Sequence, residues 1–257
     1  MWESRHGFPE PARLAGGHRR YSEADVDAVR EVLSLRDQGL SLPAAIERAR
    51  ERRQPRTASV FAGLRRRRPE VSPVQLPKRA VFALTRAIED EYCARAADGI
   101  LIGAFQREGF YRRIERRWRE LARTSELAVA LADFPAPAQP DGGPLEVPIE
   151  RRHPMAREWA VVVSADTVQA CLAAWEQPAR RPPPDELRQF EVLWSFDPGV
   201  VAEAVEIVAE LLEPLDGAIA GRVCAGARRP RPGAAAVLEH GGALAQRMIG
   251  YLGRVVD

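Results

Sequence analysis

The stretch Gly16-Gly17-His18-Arg19-Arg20-Tyr21-Ser22-Glu23-Ala24-Asp25-Val26 reads as a basic hairpin running into a capped helix. A Gly-Gly pair permits a tight reversal with positive φ. The two guanidinium groups and the phenol that follow suit contact with phosphate. Ser22 with Asp25 three positions on has the pattern of a capping box. Val26, Val29 and Val32/Leu33 then give the helix an apolar face. Arg19, Arg20 and Tyr21 are the leading candidates for contact with a nucleic-acid backbone, and Arg13 and His18 are outer members of the same patch.

Charge is distributed in a way that fits this reading. The chain of 257 residues has a formal net charge of only +2. Its first 70 residues hold 15 basic and 10 acidic side chains, and the rest hold 23 and 26. A basic footprint is thus joined to a nearly neutral remainder. The length suffices for two units with a sizeable core. Residues are 46% hydrophobic and 29% charged, no apolar run approaches the ~20 residues of a membrane span, and the polar N-terminus lacks an apolar signal segment. The expectation is a cytoplasmic protein with no membrane partner. Cys93, Cys171 and Cys224 lie far apart, without disulfide or zinc spacing, and read as buried, inert thiols.

Outward from the hairpin, one helical pattern covers 22 to about 36. Gly39 suits its C-terminus, Ser41 an N-cap and Pro43 the first turn of a second helix, about 42 to 53. A short amphipathic segment, Ser59 to Arg68, ends in four arginines. That block reads as a solvated linker end, with contact to the DNA backbone as the other reading. Beyond Val71 the texture changes. Val81, Leu84, Ile88 and Tyr92 share one face of a helix over Lys78 to Ala96, and a single helix is expected from about 107 to 123 with Phe110, Ile114, Trp118 and Leu121 inward. Strand candidates are Gly99–Phe105, Leu127–Phe134, Glu158–Ser164, Ala170–Trp175 and Phe190–Phe196. Two Pro-rich loops, 135–148 and 178–184, separate them and read as exposed. An apolar helix starts at Asp197-Pro198, and an amphipathic helix over about 235 to 254 carries Leu244, Met248 and Leu252; it either joins two copies of the chain or packs on its own domain. The fold expected is α+β: a partial helical winged-helix portion, then an α/β domain with a roughly five-stranded sheet packed by helices. The divisions are 1–54, 55–215 and 216–257.

The first 54 residues resemble the later part of the MerR-family winged helix-turn-helix domain, in which a GGHRRY-type wing precedes two helices. Met1 to Pro9 looks like the end of a recognition helix and the lead into the wing. The first helix, the turn and most of the recognition helix of that pattern have no counterpart here, so the expectation is either a DNA-binding form whose true start lies upstream of Met1, the favoured reading, or a genuine half-domain. Residues from about 59 to 213 resemble the DICT sensory domain, on Arg86-Ala-Ile-Glu-Asp-Glu91, Gly103-Ala-Phe-Gln106, Trp118-x-x-Leu121, Ala132-Asp-Phe134, Glu158-Trp-Ala160, Trp175-Glu176 and Phe190 to Trp194. That resemblance implies a signal-input module without catalysis, responding to an unknown signal or small ligand.

Glu89, Asp90, Gln106, Asp133, Phe134 and Trp175 are the candidate ligand residues, on the premise that helix acids and strand-end groups converge on a pocket. The aromatic residues Trp118, Trp159, Trp175 and Trp194 suit core packing, with a cage for a planar ligand as the alternative. No catalytic constellation stands out: four histidines lie outside metal spacing, and there is no phosphate-binding glycine loop or nucleophile elbow. The functional expectation is a homodimeric, signal-responsive transcription regulator. The alternative is an adaptor or small-molecule-sensing module that binds no DNA and acts through a partner protein.

Overall fold

The computed structural model describes residues 8–9, 12–13, 19–20, 23–43, 45–46, 59–95, 98–151, 153–177, 184–227 and 233–256. They fall into two units, Met1–Arg56 and Thr57–Asp257.

In the first unit, β1 (Ala12–Arg13) and β2 (Arg19–Arg20) pair antiparallel, with Ala12 opposite Arg20 and Arg13 opposite Arg19. Helix α1 (Glu23–Asp37) follows. Its buried stripe is Ala28, Val32 and Leu35, which pack with Phe8, Ala45 and Ile46. Of the expected face, Val32 is buried and Val29 packs against this core, whereas Val26 and Leu33 are 44% and 47% exposed. The 28/32/35 spacing of four and three is the seam that meets the core, and Val26 and Leu33 fall on the opposite side of the helix. Gly39, at φ 93°, ends α1. The N–H of Leu40 donates to the Leu35 carbonyl and that of Gly39 to Arg36, a Schellman closure that needs a left-handed residue here. Most of the expected second helix lies outside the described residues.

The second unit is built on a seven-stranded sheet of order β3-β9-β8-β7-β4-β5-β6. Its strands are β3 (Val74–Pro77), β4 (Gly99–Phe105), β5 (Leu127–Ala132), β6 (Leu145–Pro148), β7 (Glu158–Ala165), β8 (Gln169–Glu176) and β9 (Gln189–Ser195). Pairs β4–β5 and β5–β6 are parallel and the others antiparallel. The expected five strands therefore gain two. Strands β3 and β6 are four-residue edges that end in proline, a residue that cannot continue a central ladder. The second of them occupies the end of the stretch read as an exposed loop, where Arg112 grips the buried Glu146 carboxylate through both oxygens at 2.6 and 2.7 Å. Residues 178–183 of the other expected loop lie outside the described residues.

The helices are α2 (Val60–Arg67), α3 (Lys78–Ala94), α4 (Glu108–Arg112), α5 (Glu115–Ala122), α6 (Pro198–Leu212), α7 (Gly217–Ala227) and α8 (Ala234–Val256). They cover both faces of the sheet. Ile100, Ile102, Val129, Leu131 and Val162 point into a core with α2, α6 and α7. Leu101, Phe105, Ala130, Val161 and Val163 point into a second core with α3, α5 and α8. Central strands enclosed on both faces must be apolar along their whole length, which is why all seven residues of β4 are buried. Gly103 is required by this packing, because a Cβ there would overlap the Trp118 ring.

Three further expectations need correction. The single helix over 107–123 is broken at Arg113–Ile114, where Ile114 adopts φ −121°, ψ 9°, and the break lets α5 turn Trp118 and Leu121 onto the sheet. The arginine block is no solvated linker end. Arg65 pairs with Glu191 at 3.0 Å, Arg67 with Glu210 at 2.5 Å and Glu203 at 3.5 Å, and Arg68 with Glu70 at 2.6 Å, so the block clasps α2 to α6 and β9. Of the cysteines, Cys171 is buried, Cys224 half-buried and Cys93 exposed.

Candidate functional site

Two regions carry the candidate residues. In the first unit, Arg13, Arg19 and Arg20 all lie on the β1–β2 ladder, with Arg13 and Arg19 register partners. His18 and Tyr21 lie outside the described residues.

In the second unit, Glu89 and Asp90 project from α3. The Glu89 carboxylate is buried and accepts Arg117 Nε at 2.5 Å and Trp118 Nε1 at 3.1 Å. Burial pushes its carboxyl above the ordinary range, against the pull of Arg117. Asp90 accepts from Arg117 and from the Tyr251 hydroxyl, the latter at 2.5 Å. Burial raises its carboxyl too, but these two bonds outweigh it and hold it low. The adjacent Glu91 accepts from Arg95 at 2.6 Å and from Arg247 at 3.0 Å. Consecutive acids of α3 thus tie α5 on one side and the terminal helix α8 on the other.

A cleft opens beside this network. Phe82, Thr85, Arg86 and Glu89 line it from α3, Phe105 and Trp159 from the sheet, and Ile114 from the α4–α5 break. The four α3 positions follow the i, i+3, i+4, i+7 spacing of one helix stripe. Phe105 and Trp159 are register partners across β4 and β7. Phe82 meets Trp159 edge-on at 6.3 Å between ring centroids and is itself 50% exposed, so it forms the outer wall. The free space within it, open on one side to solvent, is about 20 Å³, room for roughly one water molecule.

The other predicted residues lie elsewhere. Gln106, at φ 63°, ends β4 in the left-handed region. Its amide donates to Glu176 at 3.1 Å and accepts Arg188 at 2.5 Å, while Arg188 also bonds Glu176 through two nitrogens at 2.8 and 2.6 Å. These bonds hold a backbone conformation that is costly for a residue with a Cβ. The Arg188 guanidinium lies over the Phe110 and Phe190 rings, which completes a satisfied latch. Asp133 accepts the Glu108 N–H at 2.6 Å and Arg151 Nε at 3.0 Å. Phe134 meets Tyr111 edge-on at 5.4 Å. Trp175 stacks on Phe61 at 6.4 Å on the opposite face of the sheet. Of the six, Glu89 alone lines the cleft. Phe82 and Thr85 were not singled out in the sequence, and Ile114 only as an inward-facing helix residue; the helical spacing marked the neighbouring face of Val81, Leu84, Ile88 and Tyr92 instead.

Among the described residues, no group of His, Cys, Asp and Glu side chains is arranged to hold a metal ion, and no helix is long and apolar enough to cross a membrane. The second unit is a sheet sandwiched between helices, with a small aromatic cleft beside a charged network. Residues 58–177 match the DICT family, the sensory domain in diguanylate cyclases and two-component systems, and residues 1–51 match the MerR HTH family of regulatory proteins. The chain thus carries a MerR helix-turn-helix domain at its N-terminus followed by a DICT sensory domain, a pairing that indicates signal-responsive transcription regulation. Neither matched family is catalytic. No curated protein and no solved structure matches the chain. The DICT match ends before β9, although β9 is an interior strand between β3 and β8.

Proposed function

We propose that this chain is a transcription regulator whose MerR-like portion contacts operator DNA through Arg13, Arg19 and Arg20, with His18 and Tyr21, and whose DICT domain biases that contact when it binds its signal. The observation that carries the reading is the β1–β2 register, which brings Arg13 opposite Arg19 within the residues matched to the MerR family. Backbone phosphates are the natural partners of such a ladder, and they position a protein on DNA more than they read its sequence. The action is cytoplasmic, where the DNA target lies.

A homodimer suits paired operator half-sites. Supporting it, Leu238 and Ile249 on α8 are 78% and 71% exposed. Eleven residues apart, they share one helix face with the exposed Gly242 between them. Signal binding would act by differential affinity for two relative arrangements of the paired DNA-binding portions.

The test is DNA binding by the purified full chain as a function of salt, using a duplex from upstream of its own coding region. Arg19→Ala is expected to weaken binding and reduce the slope of log K against log salt by about one. Unchanged affinity and slope would remove Arg19 from the interface. Absence of DNA retention together with co-purification of another regulator would favour the adaptor reading instead.

A further inference from the structure

We infer that the cleft between α3 and the β4–β7 strands is a binding site for a small aromatic carboxylate, held by its ring among Phe105, Ile114 and Trp159 and by its carboxylate at Arg86 and Thr85, with Phe82 as the outer wall that must move to admit it. This deepens the proposed function and rests on the reading of the DICT domain as the input half of a regulator.

Three observations converge on the cleft. The Thr85 hydroxyl is buried, with the residue 6% exposed, and it has no hydrogen-bond partner. An unmade hydrogen bond of this kind is costly in a folded protein, and a ligand acceptor in the cleft would satisfy it. Second, Arg86 stands 3.7 Å from Glu89 and 3.8 Å from Asp90, too far for hydrogen bonds to either. Both carboxylates are already served by closer donors: Arg117 bonds the two of them, Trp118 adds a bond to Glu89 and Tyr251 adds one to Asp90. The planar fork of Arg86, 40% exposed on its side chain, therefore retains its capacity for a bidentate anion. Third, the remaining inner walls are Phe105, Ile114 and Trp159, beside a Glu89 carboxylate that Arg117 and Trp118 already engage.

As it stands, the cleft is too small for a ring. Phe82, as the half-exposed outer wall, is the side chain whose rotation opens it. Its displacement lowers apparent affinity in the wild type by the fraction of time the cleft is open. A ligand carboxylate on Arg86 would draw that guanidinium away from Glu89 and Asp90, the acids joined through Arg117 and Tyr251 to α5 and α8. A route from the cleft to the terminal helix is thus built into the side chains.

The probe is benzoate, compared with neutral benzamide and with acetate by calorimetric titration of the full chain. Benzoate is expected to bind at least about tenfold more tightly than either control. Thr85→Val should lower benzoate affinity by about fivefold while leaving the unfolding temperature unchanged or higher, since it removes an unpartnered buried hydroxyl. Arg86→Gln should abolish the preference for benzoate over benzamide, and Phe82→Ala should raise benzoate affinity by opening the cleft. The site is overturned if neither the wild type nor Phe82→Ala binds benzoate up to ~10 mM, if benzamide or acetate binds equally well, or if Thr85→Val and Arg86→Gln leave affinity untouched. The titration contains no DNA, so a failure of operator binding does not affect it, and loss of the benzoate preference overturns the site without touching the DNA-binding reading.

Discussion

Both carboxylate oxygens of Glu158 lie 3.2 Å from the backbone nitrogen of Phe61, whose N–H donates to them from the first turn of α2. Glu158 is wholly buried, and that burial outweighs its bonds to Ser59, Phe61 and Val60 and pushes the carboxyl up to about 7. The folded protein therefore keeps a proton that the unfolded chain releases near 4.5. Stability from this group is fully present below the unfolded value and is lost as pH rises through the folded one, by about 3 kcal/mol in all. The urea midpoint is expected to fall between about pH 5 and 8 in the wild type, and Glu158→Gln should flatten that dependence. Parallel pH profiles for the two proteins would show that the titration lies elsewhere.

Arg117 joins Glu89 to Asp90 and is the closest cation to a nearly inaccessible carboxylate. Arg117→Met should cost about 3 to 5 kcal/mol, because it strands Glu89 without its charge partner. Adding Glu89→Gln should recover much of that loss. A double-mutant cycle by denaturant unfolding measures the coupling, and additive losses would contradict the arrangement.

The arginine block at the end of α2 offers a contrast. Arg67→Gln removes the pairs with Glu203 and Glu210, which are partly solvated, so a loss of about 1 kcal/mol or less is expected. DNA affinity and its salt slope should stay as in the wild type. A slope reduced by about one would place the block on DNA.

Gly103→Ala tests the contact between α5 and the sheet. A methyl group there would collide with the Trp118 ring, so the unfolding temperature should drop, with a cost of about 1 to 3 kcal/mol. The near-ultraviolet circular dichroism of the tryptophans should change with it. An unaltered unfolding temperature would mean that α5 yields readily.

Several elements were legible because one neighbour decides them. The apolar run Gly99–Phe105 has to be enclosed on both faces, and the stripe Val201, Val205, Val208 and Leu212 has to meet a sheet. Gly39 signalled a helix end that it makes through a positive φ. Strands β3 and β6 were not legible, since four-residue edges ending in proline carry no periodic signal. The break at Ile114 was equally hidden: the helical spacing of Phe110, Ile114 and Trp118 continues through it, and only docking on the sheet decides that α5 turns there.

The site divides along the same line. By itself the sequence determined the basic hairpin, the two-part division of charge, the enclosed central strands and the α3 face of Val81, Leu84, Ile88 and Tyr92, because each depends on residues a few positions apart. Tertiary structure alone decided that Phe105 would pair with Trp159, that Arg117 would satisfy both acids and leave Arg86 at hand, and that the Thr85 hydroxyl would be buried without a partner. Those outcomes depend on strand register and helix docking, in which groups distant along the chain compete for the same hydrogen bonds, and local spacing does not settle that competition.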